Sequence, residues 1–115
     1  MLDYAINKKI ITKCTLLKKY GINDLAWNKE DARVLINSIM KDKIGIIGGD
    51  VYDLTSGFKP LCDNWLCEPI NFELEEEYYI RSKLKALNYI DNFPVLSEEK
   101  IVFSMTFTED IYIGG

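Results

Sequence analysis

The sequence predicts an α+β fold in which about three helices pack against a small antiparallel sheet, in a single domain covering residues 1–115. A length of 115 residues is typical of one folded domain. Residues 101–108 alternate apolar and more polar side chains, the pattern of a strand with one buried face. Helical and strand patterns do not alternate as repeated βαβ units, so a layer of helices on an antiparallel sheet is expected.

The first two predicted helices lie in the N-terminal half. One covers residues 3–20 and ends at Gly21, and its apolar face consists of Ile6, Ile10, Cys14 and Leu17. The next begins after Asn28, a good N-cap residue, and Trp27 stands where an apolar side chain often fixes the first turn. This helix is expected to bury Ala32, Leu35, Ile36, Ile39 and Met40.

The third predicted helix covers about residues 74–92, begins with an acidic first turn and ends before Pro94. Its expected apolar face consists of Tyr79, Ile80, Leu84, Ala86, Leu87 and Ile90. The opposite face carries Tyr78, Ser82, Lys85 and Tyr89. Tyrosines there would pack against a loop or the first helix, or they would serve a protein interface, where tyrosine is common.

The most specific stretch of sequence is residues 44–53, an apolar strand interrupted by Gly48 and Gly49. Glycine tolerates a positive φ or the close approach of another backbone, so we expect a turn or bulge here, with Asp50 capping it. A binding role for Asp50 and Tyr52 is the alternative. Residues 61–68, between Pro60 and Pro69, are expected to form a short strand or an ordered loop, and residues 111–113 a last short strand.

Composition excludes several classes of protein. The chain has no histidine, which removes imidazole bases and catalytic triads, and its three cysteines show no metal or redox spacing. No apolar run is long enough for a membrane span and no signal peptide is recognised, so a cytoplasmic protein is expected. Residues 44–115 carry a net charge of −8 against +4 for residues 1–43, which disfavours nucleic acid as a partner.

Few residues of the sequence suggest a catalytic, cofactor-binding or metal-binding site. The glycine pair is not followed by a phosphate-binding motif, so no cofactor is predicted. Asp50, Asp53, Asp63 and Glu68 would have to converge to form a hydrolase or metal site, and separate surface carboxylates are the simpler expectation. Cys62 and Cys67 lack a histidine partner, so a small apolar role is favoured over a nucleophilic one. Trp65 is either a core anchor or an interface hot spot.

Three motifs in a fixed order identify a family. They are Gly-Gly-Asp-Val-Tyr at 48–52, Asp-Asn-Trp-Leu-Cys at 63–67, and Tyr-x-x-Arg-Ser-x-x-x-Ala followed by Tyr-Ile at 78–90. With Trp27 and the second helix, they resemble the immunity protein forty family of bacterial polymorphic-toxin systems over roughly residues 27–90. Leu66 stands where an aromatic residue is expected. The matching positions are Gly48, Gly49, Asp50, Val51, Tyr52, Asp63, Asn64, Trp65, Cys67, Arg81, Ser82, Ala86, Tyr89 and Ile90.

The resemblance implies a bacterial, cytoplasmic protein that is not an enzyme and that binds and blocks a cognate protein toxin. An acidic second half would suit a basic nuclease toxin. The candidate partner-binding residues are Asp50, Tyr52, Asp63, Asn64, Trp65, Glu68, Tyr78 and Tyr89, with Gly48 and Gly49 as structural residues. The alternative is a small-ligand or peptide-binding regulatory or accessory domain with a pocket around Asp50 and Trp65.

Overall fold

A computed structural model describes residues 3–6, 15–16 and 25–113. The elements in chain order are β1 (Asp3–Ile6), β2 (Thr15–Leu16), β3 (Leu25–Trp27), α1 (Lys29–Ser38), β4 (Ile46–Asp53), β5 (Lys59–Leu66), α2 (Glu75–Asn92), β6 (Ile101–Phe107) and β7 (Asp110–Ile113).

The main sheet has five strands in the order β2–β3–β6–β4–β5, and every neighbouring pair is antiparallel. This confirms the predicted α+β class and places β5 at an edge. The strands β1 and β7 pair with each other in parallel as a separate two-stranded sheet, which the sequence did not predict. Within the described ranges the chain forms two helices, so the expectation of about three is too high for that part.

The helix predicted over residues 3–20 is wrong where the structure describes that segment. Asp3–Ile6 and Thr15–Leu16 are strands, paired with β7 and β3 respectively. Helical spacing was a poor guide because strand pairing with distant segments overrides local propensity. The rest of that prediction, including Ile10, Cys14, Leu17 and Gly21, lies outside the described residues.

Helix α1 forms as the sequence predicts. The side chain of Asn28 accepts a hydrogen bond from the amide of Asp31 at 2.8 Å, which satisfies one of the free amides of the first turn. At the other end, the Lys83 ammonium donates to the carbonyl oxygens of Ile39 and Asp42 at 2.9 and 2.8 Å. A cation is favourable at a helix C-terminus, even though burial lowers the pKa of Lys83. The predicted apolar face packs into the core, with Met40 partly buried at its edge.

Helix α2 has the predicted length but a different buried face. The buried residues are Tyr78, Ser82, Lys83, Ala86 and Ile90, whereas Ile80 and Leu84 are each 52% exposed. Ser82 fits inside because its hydroxyl accepts from the amide of Ile46 at 3.0 Å and donates to the carbonyl of Tyr79 at 3.1 Å. Tyr78 and Ser82, which lie opposite the expected apolar face, are therefore buried, since a buried polar group costs little once it is paired. The Tyr78 hydroxyl donates to the carbonyl of Cys67 in the loop before α2, so for this tyrosine packing against a loop is the alternative that the structure supports. Neither helix in the described part is long and apolar enough to cross a membrane.

The double glycine lies inside strand β4, so the predicted turn is wrong, whereas a bulge, the other form that the sequence allowed, agrees with the irregular register beside the pair. A β-carbon on Gly48 would overlap the carbonyl oxygen of Trp65, and one on Gly49 would overlap the carbonyl oxygen of Ser104 and the Trp65 ring. The strand register shifts on both sides of the pair, between Ile46 and Gly48 against β6 and between Asp50 and Tyr52 against β5. The glycines thus permit close approach of three strands, one of the two reasons the sequence suggested.

Strand β6 is buried on both faces over most of its length. Ile101, Phe103 and Met105 join the helices in the main core, as predicted. The opposite face was expected to be half polar, yet Val102 and Ser104 are also buried. Val102 belongs to a second, smaller cluster with Ala26 and Tyr52. Strand β7 extends the predicted short strand by one residue.

Candidate partner-binding surface

Strand β5 forms the edge of the main sheet nearest to most of the candidate residues. Asp50 pairs with Asn64 and Tyr52 pairs with Pro60, so Leu61, Cys62 and Asp63 together face Val51 as a bulge. Cys62 sits at the centre of this bulge with φ 59°. Pro60 is tolerated within the strand because an edge strand does not need every amide. A proline and a bulge both hinder the addition of another strand, so a partner would contact side chains here.

Trp65 lies beneath this edge as a core anchor. It is 6% exposed and its ring stands 4.8 Å from the Tyr89 ring at an interplanar angle of 30°. Tyr89 in turn stands 6.1 Å from the ring of Phe93, which meets Phe103 edge to face at 5.6 Å. Of the two roles that the sequence allowed for Trp65, the core role fits this burial.

Asp50, Asp63 and Tyr89 come close together at the edge. Burial raises the pKa of Tyr89 most strongly, and the negative charges of Asp63 and Asp50 raise it further. Both carboxylates are exposed, as is the neighbouring Asn64. Tyr89 is half buried, so its expected exposure is confirmed only in part. We call Asp50, Asp63, Asn64 and Tyr89 the acidic edge.

Tyr52 lies elsewhere. It is buried on the opposite face of the sheet from Trp65, where its ring stacks on Phe58 with centroids 5.3 Å apart. The carboxylate of Asp53 is engaged within its own turn, because it accepts hydrogen bonds from the Thr55 amide and hydroxyl at 2.9 and 2.5 Å. These bonds lower the pKa of Asp53 and fix the turn between β4 and β5.

The remaining candidates, Glu68 and Tyr78, belong to a network around Arg81. The Tyr78 hydroxyl donates to the Cys67 carbonyl at 2.7 Å. The Arg81 guanidinium donates to both carboxylate oxygens of Glu73 at 2.6 and 2.8 Å, to the Glu68 carbonyl at 2.7 Å and to the Cys67 sulfur at 3.1 Å. The hydrogen bonds from Arg81 lower the pKa of Glu73 to about 2. Tyr78 is therefore a buried support, while the side chain of Glu68 is exposed.

This network holds a loop that the sequence did not single out. Residues 68–74, which we call the apolar loop, expose the large side chains of Ile70, Phe72 and Leu74. Phe72 has φ 68°, a conformation that bulky residues rarely adopt. The segment alternates apolar and polar residues as a half-buried strand would. The sequence pattern therefore does not predict that its apolar side chains are exposed.

Asp50, Asp53, Asp63 and Glu68 do not gather into a metal site. In the described ranges, no group of three or more histidine, cysteine, aspartate or glutamate side chains is placed to hold a metal ion. Cys67 is buried, as expected, although its sulfur also accepts a hydrogen bond from Arg81. Cys62 is exposed, so the buried apolar role expected for it is wrong, because the residue lies in the bulge of an edge strand. The lining of a cavity of about 410 Å³ includes neither Asp50 nor Trp65, so it is not the pocket that the ligand-binding alternative placed there. Its lining is Asn28, Lys29, Glu30, Leu54, Val95, Glu99, Lys100, Ile101 and Val102.

Comparison with known proteins identifies a family. The family model described as Immunity protein 40 matches residues 16–107. No curated protein and no solved structure matches the chain. The matched range contains all three sequence motifs, the acidic edge and the apolar loop.

Proposed function

We propose that this chain, which belongs to the Immunity protein 40 family, binds a cognate bacterial toxin in the cytoplasm and blocks it without catalysis. The family match over residues 16–107 is the observation that carries the proposal. The absence of histidine from the sequence supports a binding role, because it removes the commonest catalytic base.

Among the partner-binding residues predicted from the sequence, those of the acidic edge are best suited to contact a toxin. Asp50, Asp63 and Asn64 are exposed, and Glu68 continues this surface beyond the end of β5. Tyr52, Trp65 and Tyr78 are buried, so their proposed role is to position the exposed residues. Exposed carboxylates on a rigid edge would pair with lysine and arginine side chains, and a nuclease presents such side chains where it holds nucleic acid.

Co-expression tests the proposal. The toxin domain encoded by the adjacent gene is induced in a bacterial host with and without this chain. We expect the chain to restore growth and to co-purify with the toxin. Survival without a physical complex would contradict direct blocking, and failure both to rescue and to bind would overturn the proposed function.

A matched pair of variants tests the acidic edge. Asp50→Ala should weaken the complex by about tenfold, a typical cost for losing one charge-assisted contact. Glu98→Ala removes an exposed carboxylate from the segment between α2 and β6 and should leave affinity within about twofold. Equal effects of the two variants would show that general negative charge, rather than this edge, binds the toxin.

A further inference from the structure

The apolar loop exposes more apolar surface than its own fold requires. Phe72 is fully exposed, and Ile70 and Leu74 are 60% and 68% exposed. Single exposed apolar residues are ordinary, but three at alternate positions of one seven-residue loop form a local patch. These side chains gain little from folding, because most of their surface still meets water.

Two of the three exposed apolar residues occupy positions that do not suit them locally. Phe72 holds a positive φ that suits glycine or asparagine far better than an aromatic residue. Leu74 occupies the N-cap of α2, where serine, threonine, aspartate or asparagine would accept a hydrogen bond from the first turn and leucine offers no acceptor. Backbone strain of this kind is often found where it serves a function.

The patch is held rigidly before any partner arrives. Glu73 accepts a hydrogen bond from the Ile70 amide at 3.1 Å, and its own amide donates to the Ile70 carbonyl at 3.0 Å. Arg81 ties Glu73 and the carbonyl of Glu68 to the first half of α2. Glu77 accepts from the Leu74 amide at 3.0 Å. Such pre-organisation lowers the entropy that binding costs.

The charges around the patch indicate what would cover it. Glu68 is the first residue of the apolar loop, and Glu75, Glu76 and Glu77 follow the loop in the exposed first turn of α2. An apolar centre inside a charged rim is the arrangement of a protein-binding hot spot. We propose that the apolar loop inserts Phe72 into an apolar pocket of the toxin whose rim carries lysine and arginine side chains. This inference rests on the proposed function and names the surface that performs it.

Two substitutions separate binding from folding. Phe72→Asn places a residue that tolerates positive φ, and Leu74→Ser supplies the missing cap. Both variants should unfold at the same temperature as the unmodified chain or a higher one. Each should nevertheless weaken binding to the purified toxin domain of the adjacent gene, Phe72→Asn by about thirtyfold or more, as expected for a hot spot. A purely structural role for these side chains would instead lower the unfolding temperature.

Leu96→Asn is the matched control. Leu96 is 71% exposed and follows the C-terminus of α2. The 18 residues of this helix separate it from the apolar loop, a length of about 27 Å. We expect its affinity for the toxin domain to stay within about twofold of the unmodified chain, since truncation away from a hot spot changes little.

The outcomes distinguish the two proposals. If the unmodified chain binds the toxin domain and Phe72→Asn binds equally well, the apolar loop is not the docking site and the proposed function stands. If Leu96→Asn loses as much affinity as Phe72→Asn, the loop has no special role. If the unmodified chain does not bind, both proposals fail. Self-association in sedimentation that Phe72→Asn abolishes, with toxin affinity unchanged, would assign the loop to a second copy of this chain.

Discussion

Among the glycines that the structure describes, Gly49 leaves the least room for a side chain. Its backbone is pressed between the Ser104 carbonyl of β6 and the ring of Trp65 on β5. Gly49 itself pairs in register with Trp65 of β5 and Met105 of β6, so the glycine is needed here for the close approach of these strands and not for a turn. The same closeness lets the Trp65 ring pack in the main core.

Gly49→Ala should therefore destabilise the protein. Two strands and an indole ring would have to move apart, which costs about 2–3 kcal/mol for overpacking of this kind. Denaturant unfolding followed by circular dichroism measures the change. Asp50→Ala, one residue along and exposed, is the control and should change stability by no more than about 0.5 kcal/mol. A Gly49→Ala variant as stable as the unmodified chain would refute the proximity argument.

Elements with a local signal could be predicted from the sequence. The Asn28 cap and apolar spacing gave α1, and alternation gave β6. The buried face of α2 could not be predicted, because Tyr78, Ser82 and Lys83 are inside only through bonds to groups distant in sequence. The segment at 3–20 failed for a related reason, since its strands exist through partners elsewhere in the chain. Local pattern carries no information about either kind of partner.

Glu73, at the junction between the apolar loop and α2, should make the unfolding temperature depend on pH in the acid range. Hydrogen bonds from Arg81 lower the pKa of Glu73 from 4.5 to about 2, so the folded state favours the carboxylate. The stabilisation is complete above the unfolded value of 4.5 and is lost as the pH falls toward 2. Glu73→Gln should lower the unfolding temperature above pH 4.5, and the difference should shrink on acidification.

Thermal unfolding of both proteins across that pH range measures this difference. Glu76→Gln is the control, because it neutralises an exposed glutamate of the same region. A difference between Glu73→Gln and the unmodified chain that stays constant down to pH 2 would mean that Glu73 does not hold the loop through its charge.

The structure shows where the excess negative charge of residues 44–115 lies on the molecule. The second half of the sequence, with its net charge of −8, supplies the acidic edge, Glu68 and the acidic first turn of α2. The sequence alone indicated the sign of this surface and several of its residues, including Asp50, Asp63 and Glu68. It did not indicate the apolar loop, because exposure of Phe72 depends on contacts of Arg81 that span up to 14 positions of the chain.

If this charge steers the encounter with a basic toxin, the association rate should fall with salt. The range over which charges act shrinks from about 30 Å at 0.01 M salt to about 8 Å at 0.15 M, so association should slow by about tenfold or more across this interval. Dissociation should change far less, because the apolar loop would hold the complex through contacts that salt does not screen.

Replacing Glu75, Glu76 and Glu77 by glutamine should reproduce the slow association at low salt, whereas replacing Lys41 and Lys43 by glutamine should not. Stopped-flow mixing with the toxin domain measures both rates, and an association rate independent of salt would rule out electrostatic steering.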